Sequence, residues 1–167
     1  MSDSPLIFAA ILDGPIDPAT ETRLLASIAP ALGALNLSGR VGARLRFEGI
    51  VRRDEPAPRG DMHNQARSTI DAAPTTVPLR ALAALDYQSY DPMAERQLDS
   101  LARDVAREYG LLALLALHSR GRVGVGEISF VLTILSAHRA EALAAMAAFI
   151  DRLKRDVPIW KSPVWAK

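Results

Sequence analysis

The apolar run Leu111-Leu112-Ala113-Leu114-Leu115-Ala116-Leu117 predicts a buried strand, and the other elements can be placed outward from it. A short uninterrupted apolar run between turn residues is typical of strands covered by other elements. It is far shorter than the roughly 20 residues needed to span a bilayer. Gly121, Gly124 and Gly126 indicate a turn-rich link after the run, and residues 128–135 predict a second apolar strand.

Upstream of that strand, strand and helix patterns alternate. Strands are predicted at residues 6–12, 41–51 and 79–87, and helices are predicted from Pro18 and over 93–109. Asp17 and Asp91 each precede a proline, which is the pairing of a helix N-cap with proline at the first helical position. Pro30 lies inside the first helical pattern and is expected to kink or split that helix.

The last helix is predicted over residues 138–155, with Ser136 as its cap and Pro158 as its end. Its apolar stripe is predicted to consist of Leu143, Ala147, Ile150 and Leu153. The tail at 159–165 is expected to be extended. The order β-α-β-loop-β-α-β-β-α predicts an α+β fold with a mixed or antiparallel sheet and helices packed on one side.

Residues 54–77 change in character. This stretch is rich in Pro, Gly, Asp, Asn and Thr and holds few large apolar side chains. A structureless loop of this length is uncommon inside a compact domain, so it is either a flap over a functional site or a disordered segment. Because neither flank is a complete domain, we expect residues 1–167 to form a single domain with 54–77 as an inserted loop.

The composition excludes several classes of protein. The 167 residues are 49% apolar and 23% charged, as in ordinary globular domains, and the net charge of +1 gives no basic field that would indicate nucleic-acid binding. The chain has no cysteine, which excludes disulfides and thiolate chemistry and agrees with a reducing, cytoplasmic location. We find no secretory signal pattern and no membrane-spanning run.

Motifs for phosphate loops, dinucleotides and metals are lacking. The glycines at 121–126 do not lead from a strand into a helix, so they do not predict a phosphate-binding turn. His63, His118 and His138 do not have metal-ligand spacing. We therefore predict neither a metal site nor a cofactor.

The basic residues are more informative. Seventeen of the 20 basic residues are arginine, whereas lysine occurs only at 154, 161 and 167. Arg139 in the first turn of the last helix opposes the helix dipole, so it is either a surface residue relieved by Glu141 or part of an anion site. Lys154 suits the last turn of the helix, and Arg52 suits a polar strand end, so neither residue by itself requires a function.

Geometry limits how these cations can cooperate. Arg139 and Lys154 are 15 residues apart on one helix, so they lie ~22 Å apart along its axis. One small ligand cannot touch both on the same chain. Either they serve different sites, or two copies of the chain meet so that Arg139 of one copy approaches Lys154 of the other.

Several segments together resemble the large, catalytic subunit of molybdopterin synthase. The resemblance covers residues 41–161 and keeps the order of that family's motifs. Its segments are Phe47-Glu48-Gly49-Ile50-Val51-Arg52, residues 85–95, residues 121–127, Ser136-Ala137-His138-Arg139, Leu153-Lys154 and Pro158-Ile159-Trp160-Lys161. The pattern that begins at Ser136 and ends at Lys161 is the most specific of them.

The resemblance implies an α/β hammerhead-like fold and a central homodimer within a heterotetramer. It implies that each large subunit binds a small, ubiquitin-like sulfur carrier whose C-terminal Gly-Gly thiocarboxylate enters the active site. The activity implied is a sulfurtransferase activity. Sulfur passes to cyclic pyranopterin monophosphate and forms the dithiolene of molybdopterin.

The matching positions imply a division of roles. Arg52, His138 and Arg139 are implied to bind the substrate's anionic groups, and Lys154 and Lys161 are implied to be catalytic. This division agrees with the chemistry of the side chains. The planar guanidinium binds oxyanions through two bonds, whereas a lysine amine can transfer protons or react covalently.

The chain departs from the family pattern at several positions. Gln88 stands where glutamate is common, Ser119 stands where arginine is common, and Ser162 and Pro163 replace a basic and an acidic residue. The segment after Arg52 is also longer than usual. Two alternatives stay open, and the altered loop and tail motivate the first of them. One is a non-catalytic relative that binds the carrier or another partner in a regulatory role, and the other is an unrelated anion-binding α+β dimer.

Overall fold

The computed structural model describes residues 4–34, 37–56 and 79–167. This part of the chain contains three helices and seven strands. In chain order they are β1 (Leu6–Asp13), α1 (Pro18–Ala34), β2 (Ala43–Ile50), β3 (Asp54–Pro56), β4 (Leu79–Ser89), α2 (Met93–Glu108), β5 (Ala113–Gly124), β6 (Ile128–Ser136), α3 (Arg139–Asp156) and β7 (Ile159–Trp165).

The long strand β5 connects the two halves of the sheet. Its first part pairs in parallel with β1 and antiparallel with β6, while residues 121–124 pair antiparallel with β4. Strand β2 lies outside β6, and both β3 and β7 pair with β4. One parallel pair among antiparallel ones makes the sheet mixed, so the predicted α+β class and mixed sheet are confirmed.

Both faces of β5 are covered. Leu114 and Ala116 pack into the cluster formed with α2 and α3. Leu115 and Leu117 point to the opposite face, where they belong to the clusters that contain side chains of α1. The prediction of helices on one side therefore holds for α2 and α3, whereas α1 lies on the other side. A strand that is apolar at every position needs cover on both faces, and α1 supplies the second cover.

The strand β5 is longer than predicted. The segment expected to be a turn-rich link continues the strand as far as Gly124, and only residues 125–127 connect it to β6. Gly121 has a φ of +80°, a conformation that residues with a side chain rarely adopt. This glycine lies where β5 changes from pairing with β1 and β6 to pairing with β4.

The helix α3 is confirmed, but its predicted apolar stripe is partly wrong. Leu143 is 57% exposed, whereas the buried residues of the helix are Ala142, Ala145, Phe149 and Leu153. The small alanines face the sheet because they let the helix approach it closely, and the single large aromatic side chain fills the remaining space.

Helix α1 is not split by Pro30. The helix is continuous from Pro18 to Ala34 with Pro30 inside it, and that proline is exposed. Its ring therefore meets solvent rather than packed side chains. Asp17 caps this helix as predicted, since its Oδ1 accepts the backbone N–H of Thr20 at 2.7 Å.

The two other predicted caps are wrong. Helix α2 begins after Pro92 without a side-chain cap, and the Asp91 carboxylate instead accepts hydrogen bonds from Ser89 and Arg120. Helix α3 begins after His138, and the Ser136 hydroxyl accepts a long bond of 3.4 Å from the backbone N–H of that histidine. In both cases the polar side chain serves a neighbouring group rather than the free N–H groups of the helix.

The beginning of the predicted insertion has regular structure. Residues 54–56 form β3, which pairs with residues 79–81 of β4. The rest of the predicted loop, 57–77, lies outside the described residues. Within the described ranges, no helix is both long and apolar enough to cross a membrane.

Candidate functional site

A cavity of about 760 Å³ opens where the C-terminal end of α3 meets β2, β4 and β7. This volume is in the range of small-molecule sites. Its walls are mainly apolar and include Phe47, Ile50, Phe130, Ile159 and Trp160. Two of these side chains, Ile50 and Trp160, are more than half exposed although large and apolar. The cavity therefore offers an open apolar surface to a ligand or partner.

Three cations from different elements line this cavity. Arg52 follows β2, Lys154 lies in the last turn of α3, and Lys161 lies in β7. Helix α3 ends at Asp156 and β7 begins at Ile159, and both lysines border the same space although seven positions separate them in the sequence. The structure thus brings together three of the five residues that sequence reasoning had singled out.

Glu55 joins two of these cations. Its Oε1 accepts hydrogen bonds from Arg52 Nη2 and from Lys161 Nζ, each at 3.2 Å. Partial burial raises the pKa of the Glu55 carboxyl, but the hydrogen bonds and charges of Lys161 and Arg52 outweigh that effect, so its pKa lies below the ordinary value. The carboxylate therefore remains ionised at neutral pH. Sequence reasoning missed it, because an acid within the predicted loop carried no spacing signal.

Lys154 differs from the other two cations. No ion pair or hydrogen bond of its ammonium group is found in the described part of the chain, and its side chain is exposed. Lys154 is thus available to a ligand without first leaving a partner. In contrast, Lys161 must break its hydrogen bond to Glu55, or keep that bond while it also contacts the ligand.

A buried histidine forms part of the cavity wall. His118 is 8% exposed and its Nδ1 donates to the carbonyl oxygen of Ser119 at 2.8 Å. Its ring lies edge-on to Tyr87 and near Phe130, with centroids 5.4 and 5.6 Å away. Burial lowers the pKa of His118, and the hydrogen bond to Ser119 opposes only part of this shift. The imidazole is therefore neutral at pH 7, with Nε2 as an acceptor.

A hydrogen-bonded chain fixes the floor beside this histidine. The Tyr87 hydroxyl donates to Ser129 Oγ at 3.0 Å, and Ser129 donates to the Gly49 carbonyl at 3.1 Å. These bonds connect β4, β6 and β2 beneath the cavity. Gly49 and Tyr87 belong to segments that carry the family resemblance, but sequence reasoning assigned no role to them or to Ser129, because the bonds form only once the strands are paired.

The other two candidate residues lie elsewhere. His138 and Arg139 are at the N-terminal end of α3, and neither lines the cavity. Lys154 lies in the last turn of the same helix. Arg139 and Lys154 are therefore ~22 Å apart along the helix axis, as expected from the sequence. Glu141, the proposed partner of Arg139, instead has a buried Oε2 for which no partner is found in the described residues.

The four single positions that depart from the family pattern lie outside the cavity lining. Gln88 faces Trp160 in the β4–β7 register, while Ser162 and Pro163 pair with Asp86 and Leu85. Ser119 is fully buried in β5.

Arg120, one place after Ser119, has a structural role. It donates to Asp13 Oδ1 at 2.7 Å and also to Asp91, which connects β5 to the end of β1 and the start of α2. These two carboxylates hold the pKa of the Arg120 guanidinium above its ordinary value. This residue therefore does not contribute a free cation to the cavity.

The arrangement suits anions rather than metals. In the described ranges, no group of three or more His, Asp or Glu residues could hold a metal ion. The cavity instead combines guanidinium and ammonium donors with apolar walls, which suits a ligand with an apolar body and a negative group.

The structure is similar to solved structures of molybdopterin synthase proteins. A molybdopterin synthase from Staphylococcus aureus has a TM-score of 0.63 at 22% identity, covering 100% of this chain and 94% of that one. A complex of subunits 1 and 2 of molybdopterin-converting factor from Helicobacter pylori has a TM-score of 0.59 at 22% identity, covering 95% and 90%. At such identities the likeness shows the fold.

Sequence comparison extends this result. A molybdopterin synthase catalytic subunit from Thermoplasma volcanium is 33% identical over 138 residues, which are 80% of this chain and 85% of that relative. The chain spans about half the length of other curated relatives with that name, between 43% and 59%. The family model described as MoaE protein matches residues 19–156. The chain therefore belongs to the MoaE protein family.

Proposed function

We propose that this chain is the catalytic subunit of a molybdopterin synthase and acts in the cytoplasm. It takes sulfur from the C-terminal thiocarboxylate of a small carrier subunit and transfers it to cyclic pyranopterin monophosphate, which forms the molybdopterin dithiolene. The observation that carries the proposal is the convergence of Arg52, Lys154 and Lys161 on one cavity in a member of this family. Residues 1–167 act as one domain, with 54–77 as an insertion.

The chemistry of the two reactants supports this assignment. The substrate carries a phosphate and the carrier ends in a thiocarboxylate, so two anions meet in one cavity and need several cations. Arg52 binds the phosphate, since its planar guanidinium matches an oxyanion. Lys154 and Lys161 act beside the thiocarboxylate, because an amine can donate and accept protons during the transfer. Lys161 shares Glu55 with Arg52, so it also contacts the phosphate that Arg52 binds.

A second copy of the chain completes the proposed site. His138 and Arg139 lie too far from the cavity of their own chain to reach the same ligand. In a homodimer, these residues of one copy extend the cation set of the other copy's cavity. The Helicobacter pylori neighbour, described as a complex of two subunits, supports the carrier subunit as a further partner.

Reconstitution tests the proposal. The chain is mixed with the thiocarboxylated carrier and cyclic pyranopterin monophosphate, and dithiolene product is measured in single turnover. We expect product from the native chain and a rate at least about 100-fold lower for Lys154→Ala, since a proton-transfer group contributes that much or more. Lys167→Ala is the matched control, because Lys167 lies outside the cavity lining.

The same experiment separates the regulatory alternative. Capture of the carrier without any product would favour a non-catalytic relative. A Lys154→Ala variant as active as the native chain would overturn the catalytic role of that lysine. Circular dichroism and thermal denaturation are the controls that check whether each variant remains folded.

A further inference from the structure

Glu55 occupies an unusual position for an acid in an anion site. Its side chain is 16% exposed, whereas the Arg52 and Lys161 side chains that it bridges are 73% and 52% exposed. Both hydrogen bonds end on the same oxygen, Oε1. The carboxylate thus lies beneath the two cations and holds their charged ends close together at the cavity wall.

Two cations held this close repel each other unless an anion lies between them. Glu55 supplies that anion in the free chain. No other acid pairs with Arg52 or Lys161 in the part of the chain that the structure describes. Glu48, the other acid of the cavity lining, is paired with Arg46 instead.

An incoming anion changes this balance. A ligand phosphate that binds Arg52 and Lys161 uses the donors that Glu55 now occupies, and its charge repels the carboxylate. Both exposed cations can turn toward the cavity, whereas the more buried acid lies behind them. The ligand therefore competes with Glu55 for the same hydrogen bonds.

We propose that Glu55 is the resident counter-ion of this site, which positions Arg52 and Lys161 in the free chain and is displaced from them by the phosphate group of the ligand. The inference rests on the proposed function, because it takes Arg52 and Lys161 as ligand-binding residues. It assigns to Glu55 a role in setting affinity. A phosphate binds only if it interacts with Arg52 and Lys161 more favourably than the Glu55 carboxylate does, and the difference sets the affinity.

Neutralising Glu55 therefore strengthens phosphate binding. Glu55→Gln keeps the shape of the side chain and removes its charge, so the bound phosphate no longer meets a carboxylate a few ångströms away. We expect about a tenfold gain in affinity for inorganic phosphate, from the Coulomb energy of two charges near a protein surface. Glu55→Asp retains the charge and is expected to stay within about threefold of the native affinity. If Glu55 only positioned the two cations and did not compete with the ligand, Glu55→Gln would weaken phosphate binding instead.

Calorimetric titration of the full chain with inorganic phosphate at low salt tests this. Asp54→Asn is the matched control: it removes the same charge from an exposed neighbour on β3 and is expected to change the affinity less than Glu55→Gln does. Unchanged or weaker phosphate binding by Glu55→Gln overturns the proposal, as does a gain of equal size in Asp54→Asn. Absence of phosphate binding by both the native chain and Glu55→Gln overturns it too.

A second titration uses a short peptide ending in Gly-Gly carboxylate. A gain for this peptide without a gain for phosphate would overturn the assignment to phosphate and identify the carrier end as the competing anion. Because no turnover is measured, the outcome is independent of the reconstitution experiment. A phosphate gain in a chain that makes no product would leave the role of Glu55 intact and overturn only the proposed function.

Discussion

His118 combines burial, a fixed tautomer and access to the cavity in one side chain. Its Nδ1 is engaged by the Ser119 carbonyl, so Nε2 is the acceptor nitrogen of the neutral ring. The ring packs between Tyr87 and Phe130. Protonation would place a positive charge among these aromatic rings with little water to solvate it, which is why burial dominates the shift in its pKa.

The pKa of His118 predicts how stability depends on pH. Its folded pKa is below its ordinary value of 6.5, so the neutral form stabilises the fold above pH 6.5 and this contribution is lost as the pH falls through the folded pKa. We expect the free energy of unfolding, measured by urea titration at pH 7.5, 6.5 and 5.5, to fall toward pH 5.5. The decrease should be smaller in His118→Gln.

His138→Gln is the control for that measurement, because His138 is exposed. It should reproduce the native dependence on pH. An identical decrease in His118→Gln and in the native chain would show that another group is responsible.

Single residues differ in how far the sequence reveals them. Arg52, Lys154 and Lys161 were predicted as site residues from the resemblance and from the chemistry of arginine and lysine, and the structure places them around one cavity. Glu55 and His118 were not predicted. Their importance arises from long-range neighbours, Lys161 for the acid and Tyr87 for the histidine, and no local pattern encodes such contacts.

Elements were predicted more reliably than the faces they bury. The predicted strand at 6–12 and helix at 93–109 agree with β1 and α2 within one residue, because Gly14 and Gly110, both with positive φ, follow their ends. The buried face of α3 was partly wrong, because Leu143 was expected in the core stripe, whereas Ala142 and Ala145 were not. Apolar periodicity alone does not distinguish a close helix–sheet contact through small residues from one through large residues.

Helix α3 provides the test at this scale. Phe149 is fully buried and lies 6.2 Å from the Phe130 ring in a stacked arrangement. We expect Phe149→Ala to lower the free energy of unfolding by about 3–5 kcal/mol, since it leaves a cavity between helix and sheet. Leu143→Ala should cost less than about 1 kcal/mol, because its side chain is largely exposed.

Urea denaturation of the two variants under one condition measures both values. Equal losses would mean that α3 is rotated relative to the arrangement described. This comparison also tests the placement of Lys154 at the cavity, since the rotation of the helix about its axis determines which side chain of its last turn faces the cavity.

At the scale of the whole molecule, the two ends of α3 pose the remaining problem. One end contributes Lys154 to the cavity, and the other end carries His138 and Arg139 outside it. If both ends serve one reaction, each site must take residues from two chains. A two-fold dimer then contains two equivalent sites, each built from the cavity of one copy and the α3 N-terminus of the other.

Subunit mixing tests this arrangement. Lys154→Ala and Arg139→Ala are each expected to be nearly inactive alone, because every site lacks one cation. After the two variants exchange subunits, about half of the dimers are mixed, and one of the two sites in each mixed dimer has all its cations. The reconstitution assay should then recover about a quarter of the native activity.

Mixing Lys154→Ala with Arg52→Ala is the control, because both residues belong to the cavity of the same chain. In that mixed dimer one site lacks the lysine and the other lacks the arginine, so activity should stay near zero. Recovery in both mixtures would contradict the placement of Arg52 and Lys154 in one site formed by the cavity of a single chain. Recovery in neither, with exchange confirmed by mass spectrometry of tagged chains, would show that no site is shared between copies. Only recovery confined to the first mixture agrees with a site assembled from two chains.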